Sequence, residues 1–215
     1  LIAGPVFLLV YPPVEAVALT ALCSITGQLF SIALLRRSID FEFRLPMIPA
    51  GLLGVPIGTA ALIRLGPSIV HVSLGLLIAL SGIWGLARPT AQKPKPLVGG
   101  RGEFLVGLAG GLTAGLAGAS AVIPSLWCTW RGLGKEQQRA IVQPFILVMQ
   151  LGSLALLGAW GWVRGSLLSD YASVLLPLLI GVGGGVACFR MCSSAIVTRA
   201  VLSLVTLSGI ALLMV

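Results

Sequence analysis

Six stretches, at 14–35, 45–63, 68–87, 140–160, 171–189 and 195–215, run on with almost no charged side chain. An α-helix rises about 1.5 Å per residue, so about twenty apolar residues match the hydrocarbon layer of a bilayer. Only 9% of the 215 residues are charged, and mean hydropathy is +1.06. A soluble domain carries about 25% charged residues. This chain has too few charges to coat a globule, so lipid must face much of its surface. A membrane barrel is excluded too, because its strands alternate apolar and polar residues over about ten positions. The chain is read as all-α, a polytopic integral membrane protein.

The net charge of +8 would point a soluble protein towards nucleic acid. Here the basic residues sit in short loops between apolar runs, where membrane orientation accounts for them, and nucleic acid is not an expected partner. Cys23, Cys128, Cys188 and Cys192 lie in or near apolar segments, which argues against a secreted disulfide framework.

One apolar stretch does not fit a plain span. Residues 105–130 read LVGLAGGLTAGLAGASAVIPSLWCTW. Gly107, Gly110, Gly111, Gly115 and Gly118 crowd the first half, and Pro124 interrupts the second. Gly loosens a helix, and Pro removes an N–H and clashes with the preceding turn. Broken backbone in lipid is tolerated only where protein covers it or where it lines a cavity. The stretch is therefore expected to break, and to turn back, around a buried polar spot. Residues 1–10 are too short to span and read as the second half of a similar element whose first half is missing. The Pro-, Gly- and Lys-rich run at 88–102 is the expected linker.

The two halves echo each other. At a shift of 127 residues, Gly54 meets Gly181, Gly58 meets Gly185, and Ser81-Gly82-Ile83 meets Ser208-Gly209-Ile210. At a shift of 122, Gln28 meets Gln150 and Ser31 meets Ser153. Two repeats are expected, 1–87 and 103–215, each a broken, re-entrant helix plus three transmembrane helices. Charge fixes their relative orientation. If 105–130 dips in and returns, twelve basic residues share one side against two, Arg64 and Arg164, on the other. If it crosses, the split is eight to six. The positive-inside rule prefers the dip, which makes the repeats inverted copies and the 88–102 linker cytoplasmic.

The run Gly111-x3-Gly115-x2-Gly118, followed by Ala119-Ser120-Ala121 and Pro124, resembles the Gly-rich signature of the TauE/SafE sulfite exporter family. The turn from Lys135 to Ala140 and the segment Pro13-Val14-Glu15-Ala16-Val17 fit it, and Gly4-Pro5 is similar to the tail of a first copy. Ser120 and Ala121 stand where that family usually has Gly. The resemblance covers nearly the whole chain. It implies transport of a small anion, such as sulfite or an organosulfonate, across a prokaryotic cytoplasmic membrane.

A helix that starts in mid-membrane offers unbonded N–H groups and a partial positive charge, which suits an oxyanion. Gly115, Gly118, Ser120, Ala121 and Pro124 are the expected substrate-binding backbone, with Gly4 and Pro5 as their counterpart. Gln28, Gln143 and Gln150 are polar groups in apolar spans and need interior partners, so they join the list as path-lining residues. The competing reading makes them glue between helices. Arg139 could neutralise the anion, or anchor the interface. His71 and the pair Cys188 and Cys192 are read as structural, since no further metal ligands stand nearby. No nucleotide-binding, metalloprotease or Ser-His-Asp pattern occurs, so no enzyme activity, metal or cofactor is expected. The expected function is a secondary carrier of a small anion working by alternating access, with anion and membrane lipid as partners; homo-oligomer formation is left open. The alternative is a degenerate transporter fold with a structural or assembly role.

Overall fold

The computed structural model describes residues 3–35, 46–65, 67–87, 100–191 and 194–214. Among these there are nine helices: α1 (Ala3–Val10), α2 (Pro13–Leu35), α3 (Met47–Arg64), α4 (Pro67–Ala87), α5 (Arg101–Ala117), α6 (Val122–Trp130), α7 (Lys135–Ala159), α8 (Gly165–Met191) and α9 (Ser194–Leu213). No strand occurs among the described residues. Four segments are long and apolar enough to cross a membrane: Pro13–Leu34, Met47–Arg64, Glu136–Ala159 and Gly165–Cys188. Within α4 and α9 the stretches Gly75–Ala87 and Leu202–Leu213 are likewise apolar. Residues such as Ile57, Leu176 and Ile180 stand exposed on helix faces, as lipid-facing side chains do.

Two helices begin earlier than the apolar pattern indicated. The span expected from residue 140 opens earlier, as α7 at Lys135, because Gly134 is extended (φ −65°, ψ 160°) and its N–H donates to Gln137 Oε1 at 3.4 Å. A residue three positions into the helix thus caps its start. The connector expected before residue 171 is already helical from Gly165. The basic residues Arg36, Arg37, Arg44, Arg88, Lys93 and Lys95, and Cys192, lie outside the described residues, as does most of the expected linker; its last residues, Arg101 and Gly102, belong to α5.

The stretch 105–130 is not one rod. α5 ends where Gly118 takes a left-handed conformation (φ 65°). The Gly118 N–H donates to Ala114 O at 2.7 Å and the Ala119 N–H to Thr113 O at 3.1 Å. This is the usual glycine-terminated helix end, in which two otherwise orphaned carbonyls find donors. Four residues later α6 starts, with Pro124 in its first turn, where a missing N–H breaks no helix bond. The two helices fold back on each other. A Cβ on Gly110 would stand 3.2 Å from Pro124 Cδ. In a straight helix residues 110 and 124 would be about 21 Å apart. The pair is centred on residue 117, as an antiparallel hairpin requires.

Glycines set the closest packing. α3 and α5 lie backbone to backbone: Gly54 and Gly58 of α3 face the main chain between Leu108 and Leu116, Gly107 and Gly115 of α5 face the main chain at Met47 and Val55, and a Cβ on Gly111 would fall onto the Gly51 carbonyl. Small residues at every fourth position permit such an approach. α4 and α9 cross in a related way. A Cβ on Gly82 would stand 2.9 Å from Thr206 N, and one on Gly209 would stand 2.8 Å from Ala79 Cα. Two apolar clusters fill the interior. One joins Leu8 of α1 and Ala16–Leu19 of α2 to Ala117, Ala119 and Val122 at the α5–α6 break. The other packs Met47 and Val55 against Phe145 and Met149 of α7.

Candidate functional site

The α5–α6 break is buried: Ala119, Ser120 and Ala121 are 8%, 1% and 8% exposed. Buried backbone must find partners, so each polar group here can be accounted for. The Gly118 carbonyl accepts from Gln150 Nε2 at 2.6 Å. The Ala119 carbonyl accepts from the Val122 N–H at 3.3 Å, and Thr113 Oγ1, whose one proton it shares with the nearer Gly110 carbonyl at 3.0 Å, lies 3.3 Å away. The Ala121 carbonyl accepts from the Ser125 N–H at 3.0 Å. For the Ser120 carbonyl no donor stands among the described residues, because four residues on is Pro124, which has no N–H. The donors fare differently. The N–H groups of Ser120 and Ala121 find no backbone acceptor among the described residues. The break therefore holds most of its negative ends in bonds and leaves positive ends unused, at the start of a helix whose dipole has the same sign.

Gln150 reaches this spot from α7, and its amide is fixed. Nε2 also lies 3.3 Å from Ser120 Oγ. With Nε2 bound to a carbonyl, the amide cannot flip without setting oxygen against oxygen. Its Oε1, in a side chain 1% exposed, has no hydrogen bond among the described residues, and neither has Ser153 Oγ one turn further along α7. Thr20 of α2 closes the other side: a Cβ on Gly118 would stand 2.9 Å from Thr20 Cγ2.

The residues singled out from the sequence thus divide. Gly118, Ser120, Ala121, Pro124 and Gln150 come together at the break. Gly115 faces α3, where its missing Cβ lets Val55 O and Thr59 approach. Arg139 and Gln143 form a separate group. Arg139 Nε donates to Gln143 Oε1 at 2.9 Å, and Nη2 donates to Ser31 O at 3.2 Å and Ser31 Oγ at 3.1 Å. Arg139 lies eleven residues from Gln150 on one helix, about 16 Å along its axis. Gln28 stands one turn before Ser31 on α2 and is half-buried. Gly4 and Pro5 are in α1, with Pro5 third in its helix as Pro124 is in α6. For those two, and for His71 in α4, only the backbone is described. Cys188 is exposed on α8.

Thr113 and Thr20 also stand at the break; Thr20 is one of the polar residues of the first span, read from the sequence as path lining or helix glue, whereas Thr113 was not singled out. Thr113 stands five residues before Gly118, so a left-handed turn there brings its hydroxyl over the break. Thr20 offers no such signal; its own hydroxyl is turned to Ala16 O, and only a methyl reaches Gly118.

A family model described as Sulfite exporter TauE/SafE matches residues 1–212. No curated protein and no solved structure matches the chain.

Proposed function

Because the chain belongs to the sulfite exporter TauE/SafE family, a family of membrane transporters, we propose that it is a secondary carrier of a small oxyanion, held at the α5–α6 break. The substrate is sulfite, an organosulfonate or a related sulfur anion. The observation that carries this reading is the imbalance at residues 118–121. Three carbonyls there are tied off by Gln150, Thr113 and backbone amides, while the amides of Ser120 and Ala121 are not spent on backbone. An anion supplies the acceptors those amides lack, and the start of α6 adds its partial charge. A cation would meet a surplus of donors. Lacking Cβ, Gly118 allows close approach.

Alternating access follows from the pairing of halves. Exchange α1–α4 for α6–α9 and the packing partners map onto one another. α1 on α2 matches α6 on α7; α1 on α9 matches α6 on α4; α2 on α8 matches α7 on α3. The Gly82–Thr206 and Gly209–Ala79 approaches exchange likewise. This supports two inverted copies, each with a re-entrant element, in a cell membrane with the 88–102 linker cytoplasmic. The test is thermal stabilisation of the purified protein by sulfite, thiosulfate, sulfoacetate and simple carboxylates, followed by flux of the best ligand into vesicles. At least one sulfur oxyanion should raise the unfolding midpoint and be carried. If no anion in the panel does either, the carrier reading gives way to a structural role.

A further inference from the structure

Two buried side chains on α7 present chemistry that the oxygens of an anion leave unanswered. Gln150 is held at the break by its nitrogen: Nε2 donates to the Gly118 carbonyl at 2.6 Å and to Ser120 Oγ at 3.3 Å. The planar amide then turns its oxygen away from those partners. Oε1 can only accept, it is buried, and no donor reaches it among the described residues. Neighbouring hydroxyls are already committed. Thr20 Oγ1 donates to Ala16 O at 2.7 Å, and Thr113 Oγ1 to Gly110 O at 3.0 Å. Ser153, one turn along α7 from Gln150, is the second case. Several hydroxyls in these helices turn back onto the carbonyl three or four residues earlier, as Thr59 does to Val55, Ser81 to Ile78 and Thr206 to Leu202. Ser153 is fully buried, makes no such bond, and is not bonded to Gln150 either.

An anion that offers acceptor oxygens alone completes the amides of Ser120 and Ala121 and does nothing for Oε1. Oxygen set against oxygen repels. We propose that the carried anion brings its own donor: a singly charged sulfur oxyanion bearing an O–H or N–H group, with its oxygens at the start of α6 and its donor on Gln150 Oε1, and with the Ser153 hydroxyl as a second polar contact. This rests on the proposed function and narrows its substrate class. It makes Gln150 a specificity residue as well as the clasp on Gly118. Discrimination is strong at a buried acceptor, because a ligand without the donor leaves that acceptor dry and unpaired. Bulk water gives no relief, since both atoms lie too deep for solvent.

Sulfamate and methanesulfonate test this. Both are tetrahedral monoanions at neutral pH and nearly equal in size; one carries NH2 where the other carries CH3. Binding to the purified 215-residue chain is read from the rise of the unfolding midpoint with anion concentration. Sulfamate should bind about tenfold more tightly. Gln150→Leu should bring the ratio of the two affinities close to one, whatever it does to either alone. Ser153→Ala, a milder change, should narrow the ratio about threefold. Equal affinity of the unaltered chain for the two anions would overturn the proposal, as would a preference for sulfamate that survives Gln150→Leu. Stabilisation by sulfoacetate, which bears no donor at neutral pH, with none by sulfamate would also overturn it and leave the carrier reading standing. If no anion stabilises the protein, both fall.

Discussion

α7 carries two polar groups on one face, and they are built in opposite ways. Around Arg139 the charged donors are hydrogen-bonded: its guanidinium meets Gln143 and both oxygens of Ser31 at 2.9–3.2 Å, and the group is half-buried. Around Gln150 there is no formal charge, burial is nearly complete, and acceptor and donor groups remain unspent. A saturated, half-wet cluster holds helices together at modest cost. An unsaturated dry one costs about 1–3 kcal/mol for each missing bond and is kept only where something else completes it. The contrast supports the proposal that the anion is held at the break and that Arg139 serves to join α7 and α2.

The strongest way to break this contrast is Gly118→Val. A β-branched residue at φ 65° is strained by about 1–3 kcal/mol, and its side chain would be driven onto Thr20. Anion flux should vanish while the protein still purifies as a folded species; unaltered flux would remove the break from the binding path. A second experiment sets the two groups directly against each other. Gln150→Leu should lower flux about tenfold, equivalent to about 1.4 kcal/mol in the transition state, with little change in unfolding midpoint. Arg139→Gln should do the reverse, costing about 1 kcal/mol in stability and at most a few-fold in flux. If Arg139→Gln proves the more damaging to flux, the assignment of roles is backwards. The smallest effect sharpens the picture further. Ser153→Ala deletes a buried hydroxyl with no partner among the described residues. It should leave stability equal or raise it by about 1 kcal/mol, while shifting apparent anion affinity if Ser153 takes part.

Much of this was legible beforehand, for identifiable reasons. The apolar runs gave α2, α3, α4 and α9 to within two residues, because in lipid an unbroken helix is the default. The break was legible because Gly118 and Pro124 each act on their own backbone. The starts of α7 and α8 were not, since polar first turns carry no apolar signal and the cap at Gly134 depends on a side chain three residues on. Arg139, Gln143 and Gln150 were grouped as one site because sequence spacing reveals which face a residue occupies and says less about depth. Residues eleven apart share a face and still sit three turns from one another. Thr20 stood out as a polar residue in its span, but what it brings to Gly118 is a methyl contact from another helix, which the sequence does not reveal.

The interlocked glycines of α3 and α5 carry a mechanical implication. α3 lies ahead of the 88–102 run and α5 after it, yet their main chains mesh with no side chain between to act as a bearing. Sliding one past the other would drive carbonyl into carbonyl, so the pair holds together as a single body. In the proposed alternating-access carrier, the rocking units would then not be the two halves as written in the gene. α5 would ride with the opposite half, and the four residues between α5 and α6 would be the strap across the seam.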